Sequence, residues 1–330
     1  MQKTLLASLF FLSLIISSFV QAEIEDKAAI NQFINKMVEQ HQFDRAELVT
    51  LFKSVEIKEE IIETMQRPAE GMPWYKYRKI FRQEKRIQSG VKFWQDNLKS
   101  LTTMQQLYGI PEEIIIAIIG VETFYGARAG GHRVIDALAT LGFAYPKRSK
   151  FFLSELENYL LLCREEKMNP LEPVGSYAGA MGMPQFMPSS YRNFAADFEG
   201  DTKRDIWNNP ADAIASVANY FAKHHWLAGQ DIAFPVTATG EQYKQALATG
   251  LKPDVSAAQL RQYKVKLPKK IADSETIKLL SFEQETGNDL WVGLENFYVI
   301  TRYNHSALYA MAVFQLSQAI KEQYVTATNN

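Results

Sequence analysis

The amino-acid sequence predicts a mainly α-helical protein of the α+β class. Three observations predict it. Apolar residues recur at helical spacing through most of the chain, and the stretch after Trp226 switches to short β-rich segments divided by turn residues. The 330 residues, 47% hydrophobic and 22% charged, suffice for a substantial core in more than one compact part. No internal repeat, low-complexity tract or proline- and serine-rich linker interrupts the pattern, so the parts are expected to pack on one another.

Residues 1–22, MQKTLLASLFFLSLIISSFVQA, carry one lysine, an apolar stretch and a Val-Gln-Ala end. This is the pattern of a secretory signal cleaved before Glu23, with an N-terminal membrane anchor as the competing reading. The single cysteine, Cys163, lies among apolar residues in FFLSELENYLLLCRE and reads as a small buried hydrophobe. No disulfide framework is therefore expected, and no lipid attachment at the cleavage site. The formal net charge of −1 becomes one unit more negative when Lys3 leaves with the leader, which gives no reason to expect nucleic acid or an anionic membrane surface as partner. A soluble exported protein follows, most simply a periplasmic one with no evident membrane anchor.

Residues 23–109 read as an N-terminal helical region. DRAELVTLF offers a capping box in which Glu47 answers Asp44, and GVKFWQDNLKSLTTMQQLYG is one long periodic run ending at Gly109. Residues 110–227 read as a second helical unit with glycine-rich joints. Pro111 opens its first helix as a first-turn residue, Glu112 and Glu113 sit near the positive end, and the apolar run continues to Glu122. Further helices lie in RVIDALATLG, SKFFLSELENYLLLCREEK and PADAIASVANYFAKHHW; in the last, Ile214, Val217 and Phe221 share a face. Residues 228–295 read as a small mixed α/β insertion built from DIAFPVTATG, TIKLLSFEQ and NDLWVGL. Residues 296–330 supply a strand, FYVITRY, and a helix, NHSALYAMAVFQLSQAIKEQ, capped by Asn304 and packing back on the helical body.

Glu122 is the charged residue that most needs explaining. It ends a helix that is nearly all aliphatic, where the macrodipole disfavours negative charge and burial acts in the same direction, so its pKa is expected to rise. A carboxylic acid kept protonated near neutral pH suits general-acid cleavage of a glycosidic bond. Alone, a glutamate there also reads as a solvated surface residue. Its neighbours decide. GSYAGAMGMPQFMPSSY, residues 175–191, has three glycines and two prolines among Ser176, Gln185, Met187 and Tyr191, an extended, turn-rich wall.

Together, GVETFYG and this wall resemble the lytic murein transglycosylase B family, from roughly Trp74 to the C-terminal helix. The resemblance implies a lysozyme-like helical core over 110–227 and cleavage of the β-1,4 bond between N-acetylmuramic acid and N-acetylglucosamine in peptidoglycan. It implies Glu122 as the sole catalytic acid/base, Ser176 near the substrate N-acetyl group, and Gln185 as a sugar-binding residue of the wall, with Met187 beside it. Tyr77, Tyr220, Tyr303 and Tyr309 match aromatics that line the family's cleft, since tyrosine offers a sugar both a flat apolar face and a hydroxyl. Each tyrosine alone also reads as core or surface packing. Arg148 matches an arginine able to pair with peptide carboxylates, while Lys147 stands where a second arginine is expected and lacks its fork geometry.

Conventional glycosidases use two carboxylates. No second one belongs to either motif, and Asp136 in RVIDALATL reads as a helix or packing residue. The resemblance therefore implies assistance by the substrate's own N-acetyl carbonyl and a 1,6-anhydro product made without water. The partners it implies are glycan strands together with cell-wall synthesis or remodelling proteins. DFEGDTKRDIWNNPAD places Asp197, Glu199, Asp201 and Asp205 at alternating positions, with the Lys203 carbonyl at the seventh, as in an EF-hand. Thr202 replaces the glycine and Asn208 the final glutamate, so the ordinary motif is broken; the resemblance implies a structural calcium here, with Asp212 as a late ligand. No cofactor is expected for catalysis. The five histidines show no metal-ligand spacing, and Ser176 and Cys163 lack the surroundings of acyl-transfer nucleophiles. A water-using muramidase and a noncatalytic wall-binding or assembly protein are the alternative readings.

Overall fold

The computed structural model describes residues 27–66, 71–247 and 250–328; the leader expected at 1–22 lies outside them. In chain order the helices are α1 (27–41), α2 (Arg45–Phe52), α3 (Glu59–Gln66), α4 (Trp74–Phe81), α5 (Glu84–Asp96), α6 (Leu98–Tyr108) and α7 (Glu112–Thr123). Then come strand β1 (His132–Arg133), α8 (Val134–Ala144), α9 (Ser149–Glu165), β2 (Val174–Gly175), α10 (Pro188–Phe194) and α11 (Pro210–Lys223). The remainder is β3 (Ala233–Ala238), β4 (Val255–Ser256), α12 (Ala257–Gln262), β5 (Val265–Lys266), β6 (Thr276–Glu283), β7 (Asn288–Gly293), α13 (Glu295–Tyr303) and α14 (Ala307–Thr328).

These elements form two compact units that alternate along the chain. Among the described residues, the first is drawn from 27–66, Gly130–Met181 and Met187–Arg192, the second from 71–129, Gly182–Phe186, 193–247 and 250–328. In the first, α8 packs on α9 and α3, and Phe33, Phe52 and Phe143 meet edge to face. Asp44 caps α2 by accepting from the Glu47 amide. Asp136 is 2% exposed; its carboxylate accepts from the Glu56 amide and from the Arg133 guanidinium, which makes it a packing residue of α8. Cys163 is buried, and that burial pushes its thiol up to about 12.

In the second unit α7 is the central rod. It touches α5, α6, α11 and α14, so every face is covered, and Ile114 to Ile119 have no exposed surface. That is why the run is aliphatic all round. Glu112 and Glu113, expected only to favour the helix start, are buried and bonded. Glu112 accepts from Trp94 Nε1 at 2.5 Å and Thr102 Oγ1 at 2.6 Å, and Glu113 pairs with Lys321 at 2.8 Å. Pro111 stands just before the helix, at its N-cap.

Three readings of local structure are corrected. The run expected as one helix up to Gly109 is two, α5 and α6, broken at Asn97 (φ −123°, ψ 23°), whose side-chain amide donates to the Phe93 carbonyl; Gly109 then ends α6 at φ 66°. FYVITRY is helical α13, not a strand. Asn296, Phe297, Val299, Ile300 and Thr301 are buried at helical spacing, and Asn296 ties the helix to Leu227 and Gln230, so packing overrides the β-branched preference. Asn304 closes α13, and Ser306 serves the start of α14, its Oγ accepting from the Tyr309 amide.

The insertion is a five-stranded antiparallel sheet of order β4-β6-β7-β3-β5 with its own core of Val236, Val255, Leu260, Ile277, Leu279 and Val292 among others. Trp74 of α4 packs on Phe282 of β6, ring centroids 5.3 Å apart.

Candidate active site

Glu122 lies one residue before the end of α7. The helix stops in an unusual way: Phe124 and Tyr125, neither of them glycine, both take left-handed backbone (φ 53° and 59°), followed by Gly126 at φ 89°. Each such residue stores on the order of 1–3 kcal/mol, held only by dense surroundings. Thr123 supplies part of the hold. It is fully buried, its Oγ1 donates to the Met183 carbonyl at 2.9 Å, and it accepts from the Gly126 amide at 3.0 Å. The end of α7 is thereby fixed to the segment 182–186 that carries Gln185.

The Glu122 carboxyl accepts from the Tyr309 hydroxyl at 2.5 Å. Burial pushes its pKa up to about 7, against the downward pull of the Tyr309 hydrogen bond. Tyr77, Tyr303 and Tyr309 all have raised pKa values, first through burial and then through the nearby charge of Glu122. The second unit thus brings Glu122, Tyr77, Tyr303 and Tyr309 together, from α4, α7, α13 and α14. Tyr303 and Tyr309 stack with rings nearly parallel at 6.4 Å, and the Tyr303 hydroxyl donates to the Pro184 carbonyl at 2.6 Å. Tyr220 stands 4.8 Å from the Tyr303 ring, buried, its own hydroxyl donating to the Arg302 carbonyl. Gln185 has left-handed backbone (φ 53°), and its amide nitrogen donates to the Ala129 and Gly182 carbonyls, which leaves the amide oxygen as an acceptor of fixed direction.

Other expected residues belong to the first unit. Ser176 closes a tight turn: its Oγ accepts from the Ala178 and Ala180 amides, and its own amide donates to the Ala180 carbonyl. The turn is seated on β2, whose Gly175 approaches Gly130 so closely that a Cβ on Gly130 would lie 2.1 Å from the Gly175 carbonyl oxygen. Arg148 is exposed, with its guanidinium 4.5 Å from the Phe151 ring centroid. Met187 is half-buried, and its carbonyl accepts from Tyr191. PSSY, at the end of the expected extended wall, is instead the start of helix α10.

The acidic loop of the second unit is tied largely to its own backbone. Asp197 accepts from the Gly200 and Thr202 amides, Asp201 from Lys203, and Asp205 from Trp207 and Asn208, while Glu199 accepts from Asn209. Asp212, 1% exposed, accepts from the Phe198 and Asp205 amides and so joins the two ends of the loop. The side chains offer carboxylate oxygens, the ligand type a hard cation prefers. Among the described residues no three His, Cys, Asp or Glu side chains converge as a ready-made metal site.

Two residues escaped the sequence reading. Thr123 gave no signal beyond its place after Glu122. Arg86 did give one: in EKRIQSGVKFW it falls on the same face as Gly90, Phe93 and Trp94, a charge set on an apolar stripe.

The pattern of the transglycosylase SLT domain matches residues 25–318. The chain belongs to this family. It is 44% identical over 299 residues to the membrane-bound lytic murein transglycosylase B of Escherichia coli K12, covering 88% of this chain and 81% of that one. The soluble lytic transglycosylase SltB1 of Pseudomonas aeruginosa superposes with a TM-score of 0.86 at 44% identity, covering 89% of this chain and 98% of that one. The Escherichia coli lytic transglycosylase Slt35, in complex with calcium, gives 0.83 at 42% identity, with coverages of 90% and 94%. SltB3 of Pseudomonas aeruginosa, in complex with NAG-anhNAM-pentapeptide, gives 0.78 at 28%, with coverages of 90% and 80%. The lysozyme-like fold expected from the resemblance is the fold of these relatives, and the chain is a lytic transglycosylase of peptidoglycan, a lyase. No helix among the described residues of this transglycosylase is long and apolar enough to cross a membrane.

Proposed function

We propose that this transglycosylase cleaves the β-1,4 bond between N-acetylmuramic acid and N-acetylglucosamine with Glu122 as its single acid and base. The observation that carries the reading is the state of Glu122: a half-buried carboxyl whose pKa is raised to about 7 and whose close partners are tyrosines. Such a group holds a proton near neutral pH and gives it up readily, as general-acid catalysis requires.

Glu122 donates its proton to the bridging oxygen as the bond from C1 of the muramic sugar breaks. The substrate's N-acetyl carbonyl oxygen bonds to C1 and spreads the developing positive charge. Glu122, now a carboxylate, takes the proton from the C6 hydroxyl of the same sugar; O6 bonds to C1 and the acetamido oxygen leaves. Glu122 ends protonated again, the leaving strand carries the first proton, and the product is a 1,6-anhydro sugar with no water consumed. Intramolecular attack suits this site because the nucleophile is already in place. The NAG-anhNAM-pentapeptide bound by SltB3 supports the same product class.

Tyr77 and Tyr303 are assigned to the sugar faces and Gln185 offers an amide oxygen, while Tyr309, 3% exposed, acts through its hydroxyl on Glu122 and Tyr220 backs Tyr303. Ser176 is assigned to the N-acetyl group, Met187 to the wall, and Arg148 to carboxylates of the stem peptide. The acidic loop is assigned a structural calcium held by Asp197, Glu199, Asp201, Asp205 and the Lys203 carbonyl, with Asp212 bracing the loop; the calcium complex of Slt35 supports this. Export by the leader at residues 1–22 places the enzyme in the periplasm beside the wall and its synthesis or remodelling proteins. The test is a mass analysis of products from purified enzyme on murein. Muropeptides one water lighter than their hydrolysed counterparts are expected, and products with reducing ends early in digestion would identify a muramidase instead.

A further inference from the structure

We propose that Arg86 is a positioning residue for the reaction, a cationic clamp that holds the last turn of α7 and so aims the Glu122 carboxyl. The inference rests on the assignment of Glu122 as acid and base, and adds to it a residue that neither GVETFYG nor the glycine-rich wall contains.

Arg86 belongs to the first turn of α5 and is only 6% exposed, a burial that arginine rarely accepts without a carboxylate partner. Its partners are of another kind. Nη1 donates to the Gly120 carbonyl, two residues before Glu122. The guanidinium lies 4.8 Å from the Phe124 ring centroid and 5.3 Å from that of Phe81, so it sits against the aromatic face of the residue that ends α7. Nε finds no hydrogen-bond partner among the described residues. Keeping a full charge buried on these terms requires compensation, and the helix end supplies it. The last carbonyls of a helix carry partial negative charge, and the Gly120 carbonyl, which already accepts from the Phe124 amide at 3.2 Å, takes Arg86 as a second donor.

The same residue also grips the far side of the turn. The Arg86 backbone carbonyl accepts from the Tyr125 hydroxyl at 2.9 Å. Tyr125 reaches it by folding back between α5 and α7 into a slot that two glycines keep open. A Cβ on Gly90 would lie 2.6 Å from the Tyr125 hydroxyl oxygen, and a Cβ on Gly120 2.7 Å from the ring. Burial drives the Tyr125 hydroxyl far above its ordinary range, so it remains a neutral donor. Arg86 thus touches Gly120 just before Glu122 and both strained residues, Phe124 and Tyr125, just after it. Two adjacent side chains in left-handed backbone persist only where their surroundings over-determine them, and Arg86 contributes one such constraint to each, with a third on Gly120.

The constraint bears on rate because a displaced acid no longer meets the bridging oxygen. A misplacement of about 1 Å can lower turnover by about 100-fold. Arg86→Met keeps a long apolar stem and removes the clamp; Arg86→Lys keeps the charge and can donate but loses the planar guanidinium; Tyr125→Phe removes only the bond to the Arg86 carbonyl. The three are assayed on a soluble murein fragment, with Glu122→Gln as control and circular dichroism to establish the folded fraction. Arg86→Met is expected to lower kcat about 10- to 100-fold with KM nearly unchanged, Arg86→Lys to recover part of the loss, and Tyr125→Phe to lower kcat by a smaller factor that does not multiply with that of Arg86→Met. The proposal is overturned if folded Arg86→Met keeps kcat within about 2-fold of the parent, or if its defect falls in KM alone. Should Arg86→Met fail to fold, an unchanged kcat in Tyr125→Phe overturns the proposal. Turnover surviving in Glu122→Gln would instead sink the Glu122 assignment, so the two failures are distinguishable.

Discussion

Replacing Glu122 by glutamine is expected to abolish turnover and at the same time to relieve a pH-dependent destabilisation. The carboxyl pKa moves from an ordinary 4.5 to about 7 because burial disfavours the charge. The folded chain therefore binds this proton more tightly than the unfolded chain. Below an ordinary carboxyl pKa both states are protonated and the folded state keeps its full stability. As pH rises toward and through the folded value, the unfolded chain ionises first and is favoured, so stability is lost. One pKa unit corresponds to about 1.4 kcal/mol, and the displacement at Glu122 to about 3 kcal/mol, nearly all expressed by about pH 8. Glutamine carries no charge, and its amide oxygen can still accept from the Tyr309 hydroxyl. Urea unfolding of parent and variant, in steps from about pH 4 to about pH 8, should show the variant gaining on the parent by about 3 kcal/mol before the difference levels. A difference that stays constant across that window would refute the buried, proton-retaining carboxyl on which the acid role depends.

Three further outcomes are expected. Tyr309→Phe removes a hydrogen bond that favours the ionised carboxyl, so Glu122 should hold its proton to higher pH; the alkaline limb of kcat then moves upward, and a limb moving downward contradicts the geometry. Thr123→Val leaves the Gly126 amide and the Met183 carbonyl without a buried partner and should destabilise by about 2–4 kcal/mol in chemical denaturation. Calcium restored after chelation should raise Tm more than it alters activity, with about 2.7 kcal/mol gained at one hundred times Kd; an unmoved Tm would make the acidic loop an ordinary turn.

Legibility in the sequence followed the range of the interactions involved. The α7 run and its terminal glutamate were readable because burial on every face leaves an unbroken aliphatic signature, and the sheet because β3, β6 and β7 are bounded by turn residues. FYVITRY has the composition of a strand, while contacts from distant Leu227 and Gln230 to Asn296 support a helix. The bonds of Glu112 to Trp94 and of Glu113 to Lys321 were invisible for the same reason. At the site, local context marks Glu122 as unusual, but its catalytic reading rests also on the wall at 175–191 and the family resemblance. Thr123 carries no such mark, since its partner Met183 lies sixty residues away and threonine at a helix end is unremarked in sequence. Arg86 was detectable as a charge on an apolar face, but its partner, a backbone carbonyl, leaves no mark on side-chain patterns.

The contact between Tyr220 and Tyr303 closes a detour. The chain leaves α11 just after Tyr220, traverses all of β3 to β7, and returns at the end of α13 with the two rings 4.8 Å apart and the Tyr220 hydroxyl on the Arg302 carbonyl. Departure and return are thus pinned by helical residues, while the sheet keeps a hydrophobic core of its own. The register of Tyr303 and Tyr309 against Glu122 is set by helical contacts on either side of the excursion, which leaves the loops between its strands free of that constraint. The sheet still reaches the helices of the site through Phe282 on Trp74 of α4 and Trp291 on Phe314 of α14, so a foreign domain spliced in at this closure has to keep those two contacts.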